Sequence, residues 1–228
     1  TGLSPTTVSA LAEELIENDI VVETGEGVTT TSGRKPIMLE VNPEGAYVAS
    51  IEMIAEGFIF YLYNLKCNEV TGKKIEVSDY STIGREIVHT LEKELISSNI
   101  DESKLFGVCL GVPGLIDIEN NRVTTSTVIP IDDNNDFYYY IKNRYNDIPI
   151  LLGNESWFSA YAEKEFGSGT NIQNLIFIDI NIGVGAGIIL NGEIFTGSRG
   201  LAGEIGHISI DMNGPRCKCG NRGCIETM

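Results

Sequence analysis

Apolar and polar positions divide the chain into stretches with different periods. Over residues 5–17, Val8, Leu11, Ala12, Leu15 and Ile16 recur at spacings of three and four, which predicts an amphipathic helix. Ser4 stands where an N-cap belongs, and Pro5 takes the first helical position. The helix is expected to stop near Asn18 and Asp19. Residues 20–23 and 36–41 read as two strands around a Gly/Thr/Ser-rich connection.

From Pro43 the pattern changes. Residues 46–52 and 58–65 alternate or run apolar as strands do, and a third strand is expected over 74–78. A helix over 82–98 places Ile83, Ile87, Leu91 and Leu95 on one face. Residues 105–111 form a buried strand that ends in the tight loop Gly111-Val112-Pro113-Gly114. A helix over 136–145 leads to a second buried strand over 148–153, and another helix covers 157–166. Then the pattern restarts. Strands over 175–180, 186–190 and 193–195 are joined by a Gly-rich turn at 181–185 and by the hairpin signal Asn191-Gly192. This repetition predicts two α/β lobes, 42–150 and 151–228, facing each other across a cleft. Ligands bind in such clefts, at the carboxyl ends of strands.

Residues 1–41 read as a separate small module. A helix followed by a hairpin has the outline of a partial winged helix-turn-helix. Thr6, Thr7 and Ser9 then face base edges or phosphates, and Arg34 and Lys35 face the DNA backbone. The alternative is an amphipathic helix and hairpin with no DNA role. Charge weighs on that side, since the two basic residues of this module stand against seven acidic ones.

Composition narrows the class. The chain has 228 residues, and its 42% hydrophobic content is enough for a packed core. Its net charge of −16 repels nucleic acid in general, so any DNA contact must come from a local patch. No apolar run reaches the ~18–20 residues that span a bilayer, and no signal peptide opens the chain, so no membrane partner is expected. The chain opens on Thr1, which suggests a fragment or a processed chain.

Cysteine usage carries the sharpest signal. Cys217, Cys219 and Cys224 fall within eight residues, spaced by Gly220 and Gly223, and His207 precedes them. Three thiols and an imidazole make a full tetrahedral set for zinc, with no position left for a substrate, so the metal is expected to be structural. Cys67 and Cys109 stand alone and are expected to be core thiols. Unpaired cysteines of this kind suit a reducing cytoplasm.

Polar groups gather at strand ends. Asn154 and Glu155 follow a buried strand, Glu204 and His207 lie beside the cysteine loop, and Glu226 follows its last thiol. Carboxylates, an amide and an imidazole suit a polyhydroxylated ligand, because each shares hydrogen bonds with hydroxyls.

With these motifs in place, the chain resembles the ROK family of bacterial repressors and sugar kinases over nearly its whole length. The resemblance rests on Gly203-Glu204-Ile205-Gly206-His207 and on Cys-x-Cys-Gly-x-x-Gly-Cys-x-Glu ending at Glu226. Gly183-Val184-Gly185-Ala186-Gly187 is similar to the family's second phosphate loop, and Gly33-Arg34-Lys35-Pro36 to the linker of its repressor branch. The resemblance implies a two-lobed, actin-like sugar-kinase fold with an interlobe cleft, and dimers or higher homo-oligomers. It also implies sugar contacts from Asn154, Glu155, Glu204, His207 and Glu226. Family members continue beyond the cysteine loop, so the second lobe is expected to be incomplete at its C-terminal end.

Two departures separate kinase from repressor. Family kinases open with Asp-x-Gly-Gly-Thr, whose glycines admit ATP phosphates; the matching stretch here is Glu52-Met53-Ile54-Ala55-Glu56. They also carry Asn-Asp after the cleft strand, where this chain has Asn154-Glu155. Glu is a competent base, but its extra methylene displaces the carboxylate by about 1 Å, a misplacement that can cost about 100-fold. The expectation is therefore a sugar-responsive, non-enzymatic repressor that binds operator DNA, with an ATP-dependent sugar kinase as the alternative.

Overall fold

The computed structural model describes residues 2–28, 35–181 and 183–228. The N-terminal helix α1 (Pro5–Glu17) starts as predicted, with Ser4 Oγ accepting from the Thr7 amide at 3.2 Å. It is followed by the antiparallel pair β1 (Val21–Glu26) and β2 (Ile37–Val41). No residue of α1 is buried: Val8, Leu11, Leu15 and Ile16 all remain exposed. Among the described residues this small unit lacks a second layer thick enough to cover the apolar stripe. Lys104 fastens it to the main α/β body, with Nζ lying 3.0 Å from Asp19 Oδ2 and 2.8 Å from the Glu44 carbonyl.

The main core is built on a five-stranded sheet. β3 (Tyr47–Ile54), β4 (Gly57–Asn64) and β5 (Glu69–Glu76) form an antiparallel meander. β6 (Leu105–Val112) then pairs parallel to β3 after the crossover helix α2 (Ile83–Ser97), as parallel pairing requires. β3 buries Ala49, Ile51 and Met53 and turns Glu52 outward, a period of two that leaves one carboxylate at the strand's carboxyl end. Ile87 and Leu91 of α2 close the core over Phe58, Phe60 and Leu62 of β4. The buried Glu94 of α2 accepts from Lys73 Nζ at 2.7 Å and from Thr71 Oγ1 at 3.3 Å, which ties the helix to β5.

After β6 the chain forms a short hairpin, β7 (Leu115–Asp117) and β8 (Arg122–Thr125), turning through Asn121 at φ 46°. Periodicity missed this pair because each strand is too short to show an alternation. Helix α3 (Phe137–Arg144) packs on α2, and β9 (Ile150–Asn154) joins the sheet parallel to β6. The five-stranded sheet thus runs past the expected lobe boundary at residue 150, to Asn154, because ladder hydrogen bonds hold this segment to β6.

Helix α4 (Glu155–Phe166) follows directly and starts two residues earlier than expected, because Asn154 caps it. A meander of β10 (Leu175–Ile180), β11 (Val184–Leu190) and β12 (Glu193–Ile194) packs against α4. β11 starts two residues earlier than expected, so that Val184 and Gly185 of the expected turn 181–185 lie inside the strand. Gly187 has a packing role there, because a Cβ would stand 2.0 Å from the Ser156 carbonyl of α4.

The two isolated cysteines behave differently. Cys109 is mostly buried in β6, and burial pushes its thiol up to about 11. Cys67 is exposed at φ 57° in the β4–β5 turn, which corrects the expectation of a core thiol. The turn is held by Asn64 Oδ1, which accepts from the amides of Lys66 and Asn68 and so leaves Cys67 at its tip.

Candidate functional site

A cavity of about 770 Å³ lies where the carboxyl ends of β3, β6, β9 and β10 converge on the cysteine loop. Asn154, Glu155, Glu204, His207 and Glu226 all line it. Four of its walls come from segments distant in sequence, so the tertiary fold makes the site.

Asn154 is held from both sides. Its Oδ1 accepts from the Ser156 amide at 2.8 Å as the N-cap of α4, and its Nδ2 donates to the Gly114 carbonyl at 3.0 Å. The Pro113–Gly114 loop is braced in turn by Ser126, whose Oγ donates to the Pro113 carbonyl. Glu155 follows on the first turn of α4. Burial, with Asp179 and Glu52 adding like charge, pushes its carboxyl up to about 7.

Glu204 and His207 depend on one glycine. Gly203 adopts φ +102°, and its carbonyl accepts from the Ala186 amide at 2.8 Å. A Cβ there would sit 1.9 Å from the Ala186 carbonyl. The chain therefore lies directly on β11 and presents Glu204, then the short 3-10 turn Ile205–His207, to the cavity. Burial raises the Glu204 carboxyl; His207 opposes this and Glu226 adds to it. His207 Nε2 lies 3.8 Å from Glu204 Oε2, while Nδ1 lies 3.4 Å from Glu226 Oε1 and 3.7 Å from Cys217 Sγ. Nε2 thus faces Glu204, while Nδ1 faces both Glu226 and the Cys217 sulfur.

The cysteine loop folds back on itself through backbone bonds. Ile210 N donates to Gly223 O at 2.8 Å, Gly223 N to Pro215 O at 2.8 Å, and Cys217 N to Asn221 O at 2.9 Å. These bonds bring Cys217, Cys219 and Cys224 together with His207, with all four ligand atoms within 4.8 Å of one another. Cys219 Sγ and Cys224 Sγ are 3.7 Å apart, and no disulfide joins them. Two thiolates on one tetrahedral zinc stand about 3.8 Å apart at Zn–S of about 2.3 Å, so this spacing fits a metal cage. Glu226 Oε1 accepts from Cys217 Sγ at 3.0 Å, which joins the cluster to the cavity wall.

The remaining predicted positions lie apart from this site. Thr6, Thr7 and Ser9 are exposed on the first two turns of α1, and the Thr7 hydroxyl is 2.9 Å from Ser4 Oγ. Lys35 Nζ pairs with Glu26 Oε2 at 2.9 Å across the hairpin, so part of its charge is already spent locally. Arg34 and Gly33 lie outside the described residues.

Sequence reasoning passed over Asp179 and Lys218. Asp179 sits near the carboxyl end of β10 and lines the cavity; its position one residue before that strand's end was the available signal. Lys218 lies between two metal-type ligands, and nothing in the sequence marks it as facing the cleft.

The family model described as "ROK family" matches residues 49–228. The xylose repressor of Bacillus subtilis strain 168 is 34% identical over 99% of this chain and 58% of its own length. The DNA-binding transcriptional dual regulator NagC of Escherichia coli K12 is 27% identical over 99% of this chain and 55% of its own length. Among solved structures, a ROK family transcriptional regulator homologous to the E. coli Mlc protein superposes with TM-score 0.77 at 27% identity, covering 99% of this chain and 57% of that one. A ROK family glucokinase from Streptomyces griseus, solved with glucose and AMPPNP, shares the fold at TM-score 0.69 and 21% identity, covering 79% of this chain and 56% of the other. The chain spans a little over half the length of the relatives it matches.

Proposed function

The chain belongs to the ROK family, and from that premise we propose that it is part of a sugar-responsive transcriptional repressor. The observation that carries this reading is the convergence of Asn154, Glu155, Glu204, His207 and Glu226 on one cavity beside the His207/Cys217/Cys219/Cys224 cluster. Sugar hydroxyls bridge the start of α4 on one side and the segment lying on β11 on the other. A ligand that joins both sides favours the closed cleft, and only such differential contact can shift a conformational equilibrium. Residues 1–41 form the partial winged helix. In a homodimer, cleft closure alters the spacing of two such modules, and half-site spacing decides operator binding. Thr6, Thr7, Ser9, Arg34 and Lys35 are the proposed DNA contacts.

His207, Cys217, Cys219 and Cys224 would hold a structural zinc. Bound there, the ion supplies no reaction step; it ties the loop down and contributes folding free energy. The protein acts in the cytoplasm, where its thiols stay reduced.

Against the kinase alternative stand Glu52 and Glu56, which bring carboxylates to the cavity wall at the stretch where family kinases carry phosphate-binding glycines. Glu155 in place of the kinase aspartate points the same way. Two relatives at 34% identity carry the name xylose repressor. The test is a gel shift of the full-length protein on its own upstream DNA, with and without a panel of sugars. Sugar-dependent release of the DNA is expected. Sugar-dependent ADP formation from ATP with no DNA shift at low salt would instead establish the kinase.

A further inference from the structure

Resting on the sugar-effector reading, we propose that this cleft takes an uncharged sugar and rejects its phosphate ester. The argument comes from the charges that face the cavity. Glu52, Glu56, Glu155, Asp179, Glu204 and Glu226 all line it, contributed by both sides of the cleft. Among the described lining residues the cations are Lys74, Lys218 and, when protonated, His207, and there is no arginine. Lys74 is already matched, its Nζ lying 3.5 Å from Glu56 Oε2. That leaves Lys218 against an excess of carboxylates. Phosphate esters are held by arginine forks, by several lysines, by open helix N-termini or by glycine-rich backbone loops. Here the lining glycines lie beside carboxylates, Gly185 paired with Asp179 across the ladder and Gly183 with its Cβ position 3.5 Å from Glu226 Oε2. The N-terminus of α4 does reach the cavity, but Asn154 Oδ1 occupies its Ser156 amide and the Glu155 carboxylate stands in its first turn.

Burial is the main cause of the raised Glu155 carboxyl, and like charge adds to it. Asp179 and Glu52 act on it through space, and both disfavour a further negative charge at that point. A phosphoryl group carries about −1.5 to −2 near pH 7 and meets this field more strongly than one carboxylate does. Zinc in the neighbouring cluster would not reverse the sign, because three thiolates outweigh a divalent ion. Neutral hydroxyls meet none of this repulsion and donate hydrogen bonds to the same carboxylates.

Calorimetric titration of the full-length protein tests the proposal with matched pairs at low salt: glucose and glucose 6-phosphate, N-acetylglucosamine and its 6-phosphate, xylose and its 5-phosphate. For whichever sugar binds, the ester is expected to bind at least about tenfold more weakly, with the gap narrowing as salt is raised. The double variant Glu52→Gln/Asp179→Asn should narrow the gap between the ester and its parent sugar, because any loss of hydroxyl contacts is common to both and only the ester gains from the removed charge. An ester that binds as tightly as its parent overturns the proposal and leaves the sugar-effector reading standing. A gap that persists undiminished in the double variant overturns the attribution to these carboxylates. Binding of neither member of any pair removes the sugar-effector reading, and the proposal with it.

Discussion

Asn154 and Gly114 are joined by one hydrogen bond, from the amide Nδ2 to the glycine carbonyl at 3.0 Å, and that bond connects the start of α4 to the loop after β6. The same side chain caps α4 through Ser156. One residue therefore sets the positions of Glu155 and of the Pro113–Gly114 wall together. Asn154→Ala is expected to cost about 1–2 kcal/mol in denaturant unfolding, the ordinary loss of a cap. Asn154→Asp should recover the cap and most of the stability while losing the bond to Gly114. If sugar binding rests on this geometry, it stays impaired in the aspartate variant, which calorimetry would show.

Glu155 makes stability depend on pH near neutrality. Its folded pKa of about 7 lies above the ordinary glutamate value, so between roughly pH 4.5 and 7 the native state binds more protons than the unfolded state. Stability therefore falls as pH rises through this window, and the penalty is complete above it. Glu155→Gln removes the penalty. The group is partly open to solvent, so the gain at pH 8 is about 1–2 kcal/mol after screening. At pH 4 the variant and the parent should coincide. Unfolding curves at both pH values check the sign; a constant difference between the proteins would rule out this origin.

The cysteine cluster predicts about one zinc per chain by elemental analysis. A strong chelator should lower the melting temperature by about 5 °C or more, and added zinc should restore it. Cys224→Ser should melt near the chelated protein and show little further response to chelator. Cys109→Ser serves as the control, because its thiol lies in β6, away from the cluster. An equal chelator response in Cys224→Ser and the parent would locate the metal elsewhere.

Two glycines with positive φ should differ sharply. Gly203→Ala adds backbone strain and drives a Cβ to 1.9 Å from the Ala186 carbonyl, so about 3 kcal/mol or more is expected. At Gly220, φ is +98° but nothing lies within 4 Å of a new Cβ, so Gly220→Ala costs about 1 kcal/mol from strain alone. Denaturant midpoints of the two variants, measured with zinc present, distinguish close approach from conformational strain.

Much of the site was legible because its chemistry is written in short spacings. The cysteine loop, Gly203–His207 and Asn154-Glu155 each announce a candidate role by residue type, and the helices α1 and α2 by apolar periodicity. The hairpin β7–β8 and the extent of β5 were not legible, since short or exposed strands leave no alternation to read. The exposure of Cys67 was hidden for a different reason. An isolated thiol beside apolar residues looks like core until the turn around it is seen.

By itself the sequence determined the family, the α/β class and the His/Cys set that could hold a metal, because those follow from local residue order and from periods of two and 3.6. Only the tertiary structure decided what faces what. It placed Glu52, Glu155 and Asp179 around one cavity although they are far apart along the chain, and it packed Gly187 of β11 directly under α4. Electrostatic fields and close packing depend on distance in space, and spacing along a chain does not encode that distance until the sheets have formed.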